Sequence, residues 1–197
     1  MMRKTKVLPI FIGFIVLYLI INWFFPFSPI SFNKEVNYNA DNVIIGEYKA
    51  DIKKLKNHYE PLLIKETNNK SIEDLTTYDI QYILKIHEQS WLTNKGSTAI
   101  TKNTLGNMLL DVKEAREIIV LLAFEETYTP NTKIYLKMLL DQTYKLEEEI
   151  KDLQLLSNLH SRSTLERQLR NLHVSYISNF QHLTSFYEEY LRSKKEA

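Results

Sequence analysis

The chain has 197 residues, a net charge of +1, no cysteine, four glycines and five prolines. Without cysteine there is no disulfide framework and no thiol chemistry, and without a basic excess there is no electrostatic footprint for nucleic acid. So few glycines and prolines also argue against a β-sandwich, which needs a turn about every 8–12 residues.

Residues 1–6 carry Arg3, Lys4 and Lys6 and no acid. Residues 7–27 then run apolar for 21 positions, broken only by Pro9, Gly13, Asn22 and Pro26. At about 1.5 Å per residue, a helix of that length spans roughly 30 Å, the depth of a bilayer's hydrocarbon core. Trp23, Phe24 and Phe25 cluster at its far end, as expected of interfacial anchors. The positive-inside rule places Arg3, Lys4 and Lys6 in the cytoplasm and everything after residue 27 outside it. A cleaved signal peptide would have an apolar core of about 7–15 residues ending in small side chains. The bulky WFFPF exit favours a retained signal-anchor. The expected location is the plasma membrane, single-pass, with the N-terminus cytoplasmic and the C-terminal domain extracytoplasmic. An exported domain without disulfides also suits a bacterium with one membrane.

Residues 28–40 hold Pro29 and show no sustained period, so they read as an extended tether. Residues 41–197 read as a bundle of four to five helices. The first carries Val43, Ile44, Tyr48, Ile52, Leu55 and Tyr59, and Pro61 is expected to kink or end it near Tyr59 or Glu60. A polar break covers 67–70. A second helix is expected over about 76–92, with Ile80, Ile83, Leu84, His87 and Trp91 on its apolar face. A polar loop over 93–103 follows.

Thr104 is the expected N-cap of a third helix running to about residue 127, whose stripe is Leu105, Leu109, Val112, Ile119 and Leu122. Its second half is apolar nearly all round and is expected to be the most buried part of the bundle. Thr129-Pro130 marks the next start. There Leu139, Leu146 and Leu153 repeat every seven residues, with Leu136 and Ile150 between. The last helix starts at the capping-box pattern Ser163-Thr164-Leu165-Glu166 and carries Leu165, Leu169, Leu172, Tyr176, Leu183, Phe186 and Tyr190, with Asn179 as the one polar entry in the stripe. These last two are long enough to form an antiparallel hairpin with coiled-coil-like packing. The fold class is therefore all-α, with one N-terminal transmembrane helix.

The search for chemistry returns no catalytic, cofactor-binding or metal residues. His58, His87, His160, His173 and His182 never stand three or four apart, so no pair shares a helix face in metal-binding fashion. Glu147-Glu148-Glu149 reads as a solvated face, and no nucleophile elbow or phosphate loop occurs. Phe180 and Tyr187 sit beside the stripe of the last helix, seven residues apart; if exposed together, they mark a partner contact. The sequence thus points to a non-enzymatic interaction or scaffold factor at the cell envelope. Its partners would be the membrane, an envelope protein and a second copy of itself through the long helices. The alternative is a small-ligand sensor or carrier with a pocket between helices.

Overall fold

The computed structural model describes residues 7–68 and 74–196, with side chains over 9–64 and 74–196. The cationic positions Arg3, Lys4 and Lys6 lie outside the described residues, as do positions 69 and 70 of the expected break at 67–70, whose first two positions are helical. The first helix, α1, runs Val7–Phe24 and contains no charge. It ends where Pro26 approaches, because proline offers no backbone donor. Most of its apolar side chains, Phe14 and Leu17 among them, are exposed. Among the described residues no helix is long and apolar enough to cross a membrane. The 18 residues of α1 give about 27 Å, short of the roughly 20 residues that a bilayer core asks for.

Residues 28–40 do not form the expected extended tether throughout: they begin in a turn closed by Ser31 N on Ser28 O, reach an extended strand only at 35–38, and pack on the bundle. Phe27 and Ser31 are buried, and strand β1 (Glu35–Tyr38) enters a two-stranded antiparallel ribbon. Its alternation buries Val36 and Tyr38 against the core and turns Asn37 outward.

Helix α2 covers Asn42–Asn68 and continues through Pro61, so of the kink or end expected near Tyr59 or Glu60 the end does not occur. Proline removes only one donor, and the longer helix lets Leu63 pack against the core. Helix α3 is Leu75–Lys85 and α4 is a single turn, Ser90–Thr93, so the one helix expected over 76–92 is two. The break carries His87 into the interior. Gln89 pins the turn by accepting from Trp91 Nε1 at 2.7 Å and donating to Asp111 Oδ2 at 2.9 Å. Strand β2 (Thr98–Thr101) occupies the expected loop and pairs Ile100 with Val36.

Helix α5 is Lys102–Glu125, capped by Thr101 with Thr104 at the third position, three residues before the expected cap. Helix α6 is Pro130–Leu156, capped by Thr129 as expected. Helix α7 is Arg162–Glu196, its first turn held by Ser161 Oγ accepting from Thr164 N at 3.3 Å. Beyond α1 the described residues therefore hold six helices rather than four or five.

Helices α5, α6 and α7 pack in sequence, α6 against both neighbours, and α6 and α7 form the expected hairpin. The stripes Leu136, Leu139, Leu146, Ile150, Leu153 and Leu165, Leu169, Leu172, Tyr176, Leu183, Phe186 are all buried. Asn179 lies among them and donates through Nδ2 to Thr143 Oγ1 at 2.9 Å across the hairpin. Helix α3 covers α5, α2 lies on α3 and α4, and β1 packs on α7.

Two burial expectations are corrected. Glu147 is buried, because Arg116 Nε reaches its Oε2 at 2.8 Å and Lys151 lies one turn on. Burial works against its charge, but the hydrogen bonds from Lys151 and Arg116 prevail and hold the carboxyl below the usual range. The second half of α5 is not buried all round. Ile119 and Leu122 face the core, while Leu121 and Phe124 are exposed among the described residues.

Candidate functional site

The interior where α2, α4 and α7 meet is aromatic and contains two histidines. Burial of His87 follows from its place after the α3 stripe, and burial of His173 from its place beside Leu172 and Tyr176. His87 Nδ1 meets the Tyr48 hydroxyl at 3.1 Å, and His173 Nδ1 meets the Tyr38 hydroxyl at 2.9 Å. Trp91 stands edge-on to Tyr38, His173 and Tyr176, with ring centroids 5.2–5.8 Å apart.

Desolvation dominates the electrostatics. It pushes His87 down to about 3, with the Asn179 amide pulling slightly the other way, and it lowers His173 as well. Both rings are neutral near pH 7. The same burial pushes Tyr38 up to about 12 and raises Tyr48 and Tyr176 further.

One side of this cluster opens to a groove of about 410 Å³ between the start of α2 and the middle of α7. Tyr38 and His173 form part of its lining, with Asp41 and Ile44 on one wall and Arg170 and Ile177 on the other. Either the Tyr38 hydroxyl or His173 Nδ1 can be the donor of that bond. His173 Nε2 is buried and has no hydrogen-bond partner among the described residues. The exposed Arg170 brings a guanidinium to the wall of the groove. A guanidinium beside Ile44 and Ile177 suits a carboxylate carried on an apolar body.

At the other end of α7, Asp74 gathers a second polar cluster. Its carboxylate accepts from Thr77 N at 2.8 Å and from Thr77 Oγ1, Tyr190 Oη and Lys194 Nζ, each at 2.7 Å. Burial opposes its charge, but the bonds from Lys194, Thr77 and Tyr190 together hold it below its ordinary value. Thr76 Oγ1 meets Tyr128 Oη at 2.6 Å beside it. Every oxygen here is spoken for within the fold, so the cluster reads as a clasp between α3 and α7.

Phe180 and Tyr187, expected together at the surface, are 3 % and 0 % exposed. The condition for a partner contact is therefore not met. Phe180 packs edge-on to Tyr48 and His87, while Tyr187 stacks on Tyr190 and bonds Thr77 Oγ1 at 3.2 Å. The interior face of α7 is wider than one three-four stripe, because α2 and α3 cover it as well as α6. Trp23, Phe24 and Phe25 do form an exposed aromatic cluster at the end of α1.

The sequence reading missed His173 with Tyr38 and Asp74 with Lys194, since each pair is more than 100 residues apart. The local spacing Asp74-x-x-Thr77 was the one signal available for the clasp. Among the described residues no three His, Cys, Asp or Glu side chains gather as a metal site. No protein-family model matches the chain, and no curated protein or solved structure matches it either.

Proposed function

We propose that the chain is a membrane-anchored, extracytoplasmic helical bundle that serves as an interaction or scaffold factor at the cell envelope. One observation carries the anchor: α1 is uncharged, and most of its apolar side chains are exposed on every side, with contacts from the rest of the described chain confined to its last turns. In water such a helix exposes more apolar surface than a soluble monomer tolerates, and lipid removes that cost. The basic residues 3–6 orient it with the bundle outside.

The interaction role draws support from the outer face of α5. Leu110, Leu121 and Phe124 share that face by helical spacing, and Phe124 is 83 % exposed. The face lies on the opposite side of α5 from the core, where an envelope partner has access. Alkaline carbonate treatment of cells expressing the full chain is expected to leave it in the membrane pellet. Leu121→Ser with Phe124→Ser is expected to keep the fold and lose crosslinked partner. Release by carbonate would overturn the anchor, and unchanged crosslinking would overturn the face.

The groove supports a second reading, a sensor or carrier of small carboxylates, through the Arg170 guanidinium on its otherwise apolar wall. Hexanoate and benzoate are then expected to raise the melting temperature of the wild type and to leave that of Arg170→Gln unchanged. No shift with either probe would overturn it.

A further inference from the structure

We propose that the end of the bundle nearest α1 is a second membrane contact, in which residues 30–32 and the α6–α7 turn rest in the outer lipid interface. This rests on reading α1 as the anchor. After Pro26 the chain does not lead away from the helix. Ser28 N bonds Phe25 O and Ser31 N bonds Ser28 O, each at 3.1 Å, so the backbone turns twice within six residues. Phe32 N then donates to Asn22 Oδ1 at 2.6 Å, and the Tyr18 hydroxyl donates to Ile30 O at 3.2 Å.

The Phe32 ring stands edge-on to Tyr18 at 5.7 Å. Tyr18 lies six residues before the end of α1, about 9 Å back along the axis. Phe32, 85 % exposed, and Ile30 therefore sit alongside the last two turns of α1 rather than beyond them. If those turns are in the membrane, so are these side chains. The same contacts satisfy Asn22, whose amide also donates to Tyr18 O at 3.2 Å, and so remove the cost of a polar group at that depth.

The hairpin arrives at the same place. Arg162 Nε donates to Trp23 O at 3.3 Å, and its guanidinium lies 5.6 Å from the centre of the Trp23 ring. That contact brings the α6–α7 turn beside the aromatic cluster. The turn carries Leu155 and Leu159, 74 % and 75 % exposed, with Leu156 between them. Nothing among the described residues covers these leucines. Each of the two segments has cations at hand: Lys34 bonds Pro29 O next to Ile30, Arg162 lies on Trp23, and Lys102 bonds Asn158 next to Leu159. Apolar side chains with lysine and arginine beside them suit an interface of acyl chains below anionic headgroups. The occupant is a bilayer surface, because the patch is continuous with the end of α1.

The chain has no cysteine, so single-site labelling is direct. Full-length Phe32→Cys, Leu159→Cys, Phe14→Cys and Phe124→Cys would each carry one environment-sensitive fluorophore. Each would be reconstituted in phosphatidylglycerol–phosphatidylethanolamine vesicles with or without nitroxide-labelled lipid. The proposal expects F32C and L159C to lose fluorescence to nitroxide lipid as F14C does, while F124C loses it only to an aqueous quencher. Lipid quenching at F14C with purely aqueous quenching at F32C and L159C would overturn the second contact and leave the anchor standing. Aqueous quenching at F14C as well would overturn both.

Discussion

Replacing Asp74 by alanine is expected to cost about 3 kcal/mol of folding stability, measured by urea unfolding of the full chain in mild detergent. The loss has two parts. The carboxylate is the N-cap of α3, and removing such a cap costs about 1 kcal/mol. It is also the acceptor for Tyr190 Oη and Thr77 Oγ1, and a hydrogen bond to a charged group is worth about 1.5–3 kcal/mol. Lys194 adds little, since its side chain is half exposed and an exposed ion pair is worth roughly 0–1 kcal/mol. Asp74→Asn keeps a capping oxygen and is therefore expected to lose about half as much as alanine. An alanine variant within about 0.5 kcal/mol of wild type would show that the clasp does not hold α3 to α7.

Acid is expected to weaken the fold well above the carboxylate range. His87 titrates near 6.5 when unfolded and about 3 when folded. Between those values the unfolded chain binds the proton and the native chain does not, so stability falls as pH falls. The stabilisation is complete above pH 6.5 and drains away below it. At pH 4.5 the loss from His87 alone is on the order of 3 kcal/mol, since two pH units below 6.5 each cost about 1.4 kcal/mol. His173, also lowered by burial, adds to it. Asp74 and Glu147 act in a different window. Their folded values lie below the unfolded ones, so their stabilisation is present above about pH 4–4.5 and is lost only in stronger acid. Urea titrations at pH 7.5, 6 and 4.5 are expected to show the slope, and His87→Phe to flatten most of it. A wild-type stability constant from pH 7.5 to 4.5 would overturn the neutral-histidine account.

The parts of the fold that were legible in the sequence are those where one period runs long enough to average out exceptions. The leucines of α6 and the mixed stripe of α7 are such cases, and Thr129-Pro130 fixed the start of α6 to the residue. Ribbon β1–β2 was not legible, because four residues of alternation stand out poorly from a loop. The split between α3 and α4 answers a tertiary demand, the burial of His87, which leaves no mark in local propensity. Glu147 was misread because its partner Arg116 lies 31 residues away on another helix. Phe180 and Tyr187 were misread for a related reason. A surface position on a two-helix hairpin becomes a core position once α2 and α3 cover it.

The bond from Asn179 to Thr143 bears on how the two longest helices find each other. Leucine stripes alone look much the same after a slide of one turn or one heptad, and a hairpin held only by them has several near-equal alignments. A buried amide paired with a buried hydroxyl removes that degeneracy. Any slide takes the Asn179 amide from its acceptor and strands it in an apolar setting, at about 1–3 kcal/mol, while the Thr143 hydroxyl keeps only its bond to Leu139 O. A single hydrogen bond thereby sets how far α7 reaches past α6. It fixes at once the height of the Asp74 clasp at one end and of Arg162 against Trp23 at the other.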